Sequence, residues 1–256
     1  IDIVFGTHNV AELPSLIERK RREKKVVSLL PDRAATEDGA EAYRTSYPNA
    51  WVNITYGCNN FCSYCIVPYV RGREKSRSAD RIIEEVRALV AAGYKELTLL
   101  GQNVNSYRDG ETDFPALLDR VASVDGKFRV RFMTSHPKDF SARLVEVMKK
   151  HDKICNLLHL PAQSGSSRIL SLMNRRYTRE QYLEKVALLP REIPEAEITT
   201  DLIVAFPTET EEDFAGTLSL VEEADFSSAF TFVYSPRTGT KAATMEGQIP
   251  EEVSKE

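Results

Sequence analysis

The sequence has no apolar run approaching the roughly 20 residues that span a bilayer, and it predicts no transmembrane segment. Its apolar first residues, Ile1 to Thr7, are preceded by no basic region and followed by no small-residue cleavage site, so no secretory signal is expected there. Positive charge is not in surplus. With 34 Lys and Arg against 38 Asp and Glu, the formal net charge is −4, and any attraction for nucleic acid must come from local patches. Cysteine is scarce too: there are four, three of them between positions 58 and 65, unlike the even, spread framework of a secreted disulfide domain. These absences point to a cytoplasmic protein whose clustered thiols serve a metal or redox site.

What is present is an ordinary globular composition, 42% hydrophobic and 28% charged, over 256 residues, enough for one α/β domain. The chain opens on Ile3-Val4-Phe5-Gly6-Thr7, which reads as the end of a strand from an upstream unit, and we expect a fragment. Residues 8 to 47 mix turn formers such as Asp38-Gly39 with the charge run Arg19 to Lys25, read as a solvated helical face. From Ala50 a βα rhythm begins. Strands are predicted at Trp51–Tyr56, Glu96–Leu100, Phe128–Thr134, Ile154–Leu160, Ile198–Phe206 (a nearly continuous apolar run, read as buried) and Phe226–Tyr234. Between them the spacing predicts helices after Ser78, at Phe114–Val124 and Ser141–Lys150, after a Thr178/Gln181 capping box, and at Thr210–Glu223. Six such units, two short of a closed eightfold barrel, predict an α/β fold that is a partial (β/α)6 barrel. Ligands of such sheets lie at the carboxyl ends of the strands.

The loop after the first of these strands reads Tyr56-Gly57-Cys58-Asn59-Asn60-Phe61-Cys62-Ser63-Tyr64-Cys65. Three thiolates at C-x3-C-x2-C spacing can bind three irons of a four-iron cube and leave the fourth without a protein ligand. That iron can be chelated by the amino and carboxylate groups of S-adenosylmethionine, so that the cofactor carries the difficult chemistry. A zinc site would need a fourth ligand from Cys155, His8, His136, His151 or His159, none of them close in sequence, and the spacing lacks the usual cysteine pairs. Cys155, alone in an apparent strand, reads as a buried small hydrophobe. Tyr64, just before the third cysteine, is a candidate for stacking on adenine.

The loop matches the radical S-adenosylmethionine signature, and the longer run Tyr56 to Arg77 resembles the tRNA methylthiotransferases of the MiaB type. So do Leu99-Leu100-Gly101-Gln102-Asn103-Val104-Asn105-Ser106, Thr134 to Asp139, His159 to Ser166, Met173-Asn174-Arg175-Arg176-Tyr177 and Tyr234 to Arg237, covering nearly the whole chain. The resemblance implies 2-methylthiolation of N6-isopentenyl (dimethylallyl) adenosine beside the tRNA anticodon, with S-adenosylmethionine used both as methyl donor and as radical source. It implies a [4Fe–4S] cluster on Cys58, Cys62 and Cys65. It places Gly101, Gln102 and Asn103 toward the methionine end of the cofactor, and Gln163, Ser164 and Asp201 toward its ribose or the substrate. Arg71, Arg73, Lys75 and Arg77, with Arg175, Arg176 and Arg179, form two basic groups suited to tRNA phosphates.

The same resemblance implies residues 1–43 as the tail of an N-terminal domain with its linker, 44–235 as the radical core, and 236–256 as an extension toward an RNA-binding module. A second iron–sulfur cluster is expected only in the intact protein, on three upstream cysteines. An electron donor such as flavodoxin or ferredoxin and a monomeric state are further expectations. Val204-Ala205-Phe206-Pro207-Thr208-Glu209 carries Ala and Thr where the family usually has Gly, which puts close backbone approach there in question. Two sister activities remain open, on threonylcarbamoyl adenosine in tRNA and on a ribosomal-protein aspartate. A zinc-bearing RNA-binding module without catalysis is the alternative of another class.

Overall fold

A computed structural model of the chain describes residues 1–6, 9–29 and 43–255. His8 and the Asp38-Gly39 turn lie outside the described residues. At the amino terminus, strands β1 (Ile3–Phe5) and β2 (Val26–Ser28) pair in parallel around helix α1 (Leu13–Lys20), a small α/β unit as the opening residues suggest.

The barrel begins at β3 (Asn49–Asn53), which pairs in parallel with β4 (Glu96–Leu100), and β4 with β5 (Arg129–Phe132). A second parallel trio follows: β6 (Leu157–His159), β7 (Glu197–Val204) and β8 (Ser228–Val233), in that order. A parallel bridge between Val130 and Ile154 joins the two trios into one curved six-stranded wall. The predicted fourth strand is thus interrupted: it touches β5 at Ile154 and resumes at Leu157.

Five helices cover one side of the wall: α2 (Ala79–Ala91), α3 (Phe114–Ala122), α4 (Ala142–Lys150), α6 (Arg179–Glu192) and α7 (Glu211–Ala224), while the shorter α5 (Ser167–Leu172) lies before α6. Helix α2 forms because Ile82, Ile83, Val86 and Leu89 recur on one face, and all four are buried. Each such side chain contributes about 1.5–3 kcal/mol on leaving water. The predicted cap at Ser78 is corrected in one respect. Ser78 stands at the N-cap position, but the first free N–H, that of Ala79, donates to Asp109 Oδ2 at 2.8 Å. Gly93, at φ +92°, turns the chain out of this helix. The Thr178/Gln181 box caps α6 in both directions, and Thr210 with Asp213 does the same for α7.

Alternation along the strands divides the wall into two faces. On β7, Ile198, Thr200 and Leu202 are buried against the helices, whereas Thr199, Asp201 and Ile203 are only half-buried. The expectation of a nearly continuous buried strand is corrected here. A six-stranded wall does not close, so its inner face lines an open trough. Trp51 on β3 and Phe230 and Phe232 on β8 are 59%, 60% and 52% exposed, and β8 is exposed along its length. By register, Phe230 and Phe232 lie beside Asp201 and Ile203 on the trough face.

Candidate iron–sulfur and cofactor site

The cysteine loop leaves the carboxyl end of β3 through Thr55-Tyr56 and returns through Lys75-Ser76, which pairs antiparallel with it. The segment between is thereby closed into a lasso. Gly57, at φ +67°, admits the turn, and Cys58 N–H donates to the Gly72 carbonyl at 3.2 Å. A Cβ on Gly57 would sit 2.6 Å from that same oxygen and closer still to the Arg73 carbonyl, so the close approach requires glycine.

The lasso is tied to the second half of the barrel by the segment after α5. Ser63 N–H donates to the Met173 carbonyl at 3.0 Å, and Asn174 Nδ2 donates to the carbonyls of Phe61 (3.0 Å) and Asn60 (3.2 Å). Arg175 lies beneath it, with Nη1 3.5 Å from Cys62 Sγ and Nη2 donating to the Pro161 carbonyl at 3.0 Å. Cys58 and Cys62 are 8% exposed and Cys65 is half-buried. Burial raises the thiol pKa of Cys58 and of Cys65; Cys58 also feels Cys62 and Cys65, and Cys65 feels Cys62.

A second network runs from the lasso to the loop after β4. Glu74 N–H donates to Asn59 Oδ1 at 3.2 Å, Ser106 Oγ donates to Glu74 Oε2 at 2.7 Å, and Asn103 Nδ2 donates to Asp139 Oδ2 at 2.7 Å. Among the described residues Asn103 Oδ1 is left buried without a partner, as is Gln163 Oε1 at the end of the β6 segment, where Gln163 is held at φ +70°. Two orphaned acceptors at strand carboxyl ends are what a bound group with ammonium or hydroxyl donors requires, because a buried unpaired oxygen otherwise costs about 1–3 kcal/mol.

The remaining expected site residues divide. Gly101 packs on Thr55, whose Oγ1 an added Cβ would overlap, and Gln102 is half-buried beside it. Asp201 faces the trough with Oδ2 3.4 Å from His159 Nε2, while His159 Nδ1 is 3.0 Å from Thr199 Oγ1. The sequence offers His159 only as a zinc ligand; the parity it shares with Asp201 along paired strands is the signal that finds it. Ser164 is fully buried and its hydroxyl faces α7, 3.4 Å from Thr217 Oγ1 and accepting from Ser166 N–H, so it is spent on structure. Tyr64 packs with Ile169, Met173, Phe206 and Ala242, and its hydroxyl is 3.5 Å from Arg175 Nη1, so its ring anchors the loop.

Among the basic residues, Arg71, Arg73 and Arg176 are exposed, Arg73 over the Phe61 ring at 4.6 Å, and Lys75 is half-buried. Arg77 is pinned to Glu85 and the Asn53 carbonyl, and Arg179 to Glu223 and the Gly216 carbonyl. Arg175, 5% exposed, is not on a surface that phosphates reach, and its assignment to that group is corrected. Ala205 and Thr208 adopt φ +57° and +69°, so the backbone there holds the left-handed form that glycine takes without strain.

The described histidines are engaged elsewhere: His151 with Asp119, His159 as above, and His136 accepting from Lys138 N–H at Nδ1. Among the described residues no three His, Cys, Asp or Glu converge as one metal ion would need. Cys155 is buried in the wall, donating its N–H to Val130.

His136 carries a prediction of its own. Burial, with the charges of Arg175 and Lys138, holds its pKa down at about 2. The folded chain therefore stays unprotonated there while the unfolded chain takes up a proton below about 6.5. The stability is present above that value and is lost as pH falls, by up to ~1.4 kcal/mol per pH unit from this group. Urea unfolding of the iron-free chain at pH 7.5, 6.5 and 5.5 should show that slope, and His136→Gln should flatten it; an unchanged slope would refute the assignment.

The chain is 52% identical to the tRNA-2-methylthio-N(6)-dimethylallyladenosine synthase of Carboxydothermus hydrogenoformans over 99% of its length, and 54% identical to that of Moorella thermoacetica over all of it. It spans 58% and 59% of those proteins. Among solved structures it is similar in fold to the radical S-adenosylmethionine methyltransferase TsrM of Kitasatospora setae (TM-score 0.64, 17% identity, 76% of this chain and 38% of that one). Coproporphyrinogen III oxidase of Escherichia coli, a radical SAM enzyme, gives TM-score 0.60 at 19% identity over 82% of this chain and 50% of that one. The sequence pattern of the Radical SAM superfamily matches residues 52–221, from the first barrel strand through most of the last helix, and this chain belongs to that superfamily.

Proposed function

We propose that this chain is the core of an enzyme that converts N6-isopentenyl (dimethylallyl) adenosine beside the tRNA anticodon into its 2-methylthio derivative. The observation that carries the reading is the closed lasso with its three thiols, together with the orphaned acceptors of Asn103 and Gln163 at the carboxyl ends of other strands of the same parallel barrel. The relatives supply the substrate class.

Cys58, Cys62 and Cys65 would each hold one iron of a [4Fe–4S] cluster. Bound there, such a cluster would supply one-electron reduction of the sulfonium of S-adenosylmethionine, with the electron drawn from a donor such as flavodoxin or ferredoxin. Asn103 Oδ1 and Gln163 Oε1, buried and unpartnered among the described residues, would accept from amino or hydroxyl donors of that cofactor. Asp201, steadied by His159, faces the same trough. Trp51, Phe230 and Phe232 offer faces on which a splayed base can stack, and Arg71, Arg73 and Arg176 are exposed for phosphates. In the intact protein we expect a second cluster near the substrate, a monomeric and cytoplasmic enzyme, and flanking domains at either side of residues 44–235. No helix among the described residues is long and apolar enough to cross a membrane.

Nucleoside mass spectrometry of tRNA from a strain lacking the gene tests the reading. The isopentenyl form should accumulate and the methylthio form return with the intact gene. Loss of the methylthio form of threonylcarbamoyl adenosine, or of a ribosomal-protein aspartate modification, would instead assign the sister activities. Colourless protein with one zinc would assign the binding module.

A further inference from the structure

A guanidinium keeps its proton in proteins, so Arg175 carries a full positive charge inside the molecule. All three of its nitrogens are engaged: Nε donates to Tyr177 Oη at 2.9 Å, Nη2 to the Pro161 carbonyl at 3.0 Å, and Nη1 faces Cys62 Sγ and Tyr64 Oη, each at 3.5 Å. Among the described residues no carboxylate pairs with it; its partners are two phenol oxygens, a carbonyl and the Cys62 sulfur. An ion buried without a counter-charge costs several kcal/mol. The one partner that can supply negative charge is the Cys62 sulfur, a candidate ligand of the cluster. His136, edge-on to Tyr177 at 5.8 Å between ring centroids, is neutral and does not share the role.

We propose that Arg175 is the buried counter-charge of the iron–sulfur cluster: it positions the Cys62 sulfur and raises the cluster's reduction potential. The inference rests on the cluster reading above. A four-iron core on three thiolates is anionic, and one electron from the external donor makes it more so. A fixed cation in contact with one ligand sulfur stabilises the reduced form more than the oxidised form, because the attraction grows with the cluster's charge. The burial of both Arg175 and Cys62 keeps that interaction from being strongly screened. Arg175 is thus a positioning residue, acting through Cys62, and its place beneath the loop rather than on a phosphate-facing surface follows from that role.

The test is a potentiometric titration, followed by electron paramagnetic resonance, of the anaerobically reconstituted 256-residue chain as wild type, Arg175→Lys and Arg175→Met. Arg175→Met should shift the one-electron reduction equilibrium at least tenfold toward the oxidised cluster, a midpoint lower by about 59 mV or more. Arg175→Lys, which keeps the charge, should move less than half as far. Loss of iron from Arg175→Met alone would also support the inference, since Arg175→Lys keeps the charge that Arg175→Met removes. A wild-type midpoint in fully loaded Arg175→Met, or equal shifts in both variants, overturns it. So does equal loss of iron from both variants with unchanged circular dichroism, which would make Arg175 a structural clamp. A wild-type chain that takes up no iron overturns the proposed function itself, and this inference with it.

Discussion

Cys62→Ala is expected to leave the chain folded while abolishing both the uptake of about four irons and the reductive cleavage of S-adenosylmethionine. The lasso owes its shape to backbone bonds that do not involve the sulfur: Cys58 N–H to Gly72, Ser63 N–H to Met173, Cys65 N–H to Cys62, and Asn174 Nδ2 to Asn60 and Phe61. Truncating a small side chain under such a frame costs the iron-free fold about 1–2 kcal/mol, whereas the cluster loses a third of its protein ligands. Iron and sulfide analysis, with 5′-deoxyadenosine measured by mass spectrometry, reads both losses. Cys155→Ala, in the wall rather than the lasso, should load and cleave like wild type. A Cys62→Ala chain that still holds a full cluster and cleaves the cofactor would remove Cys62 from the ligand set.

The second large effect is expected from Gly57→Ala, which changes no ligand. An L-residue at φ +67° costs about 1–2 kcal/mol in backbone strain alone, and the new methyl meets the carbonyls of Gly72 and Arg73. Those carbonyls cannot retreat freely, because the strand that follows them is paired through Ser76 and Lys75 with Thr55 and Tyr56. The strain must therefore be relieved on the cysteine side, moving Cys58 relative to Cys62 and Cys65. Reconstituted Gly57→Ala should carry well under one cluster per chain and melt several degrees lower. Gly110 supplies the control: it has φ +55° but open space around it, so Gly110→Ala meets only the backbone cost and should load fully. Full loading of Gly57→Ala would show that the lasso closure does not set the thiol positions.

The six strands and the helices between them were legible because apolar positions repeat at the spacing each element buries. Ile82, Ile83, Val86 and Leu89 name the covered face of α2 by their spacing alone. The three thiols were legible because their chemistry depends on short spacing along one loop. Other features depend on what the chain brings together from afar. Asp109 takes the N–H at the start of α2 from thirty residues away, and nothing local to Ser78 announces it. Helix α5, six residues capped by Ser166, is too short for periodicity to mark. Arg175 and Arg176 are neighbours in a basic run, yet one is buried under Cys62 and the other exposed. Composition cannot separate them, because the difference lies in which of two adjacent side chains the backbone turns inward. The apolar content of β7 suggested burial on both faces, but the half-buried row Thr199, Asp201 and Ile203 is already polar at two of its three positions.

The open side of the barrel bears on shielding. A carbon radical survives only where solvent and stray hydrogen donors are kept away, and a closed eightfold barrel with capping loops can provide that enclosure from within. Here the inner face is a gutter, with Trp51 at one margin and the bare strand β8 at the other. Under the proposed function, an RNA laid across the gutter would be substrate and lid together, so that the hazardous step would become accessible only once the molecule to be modified is already seated.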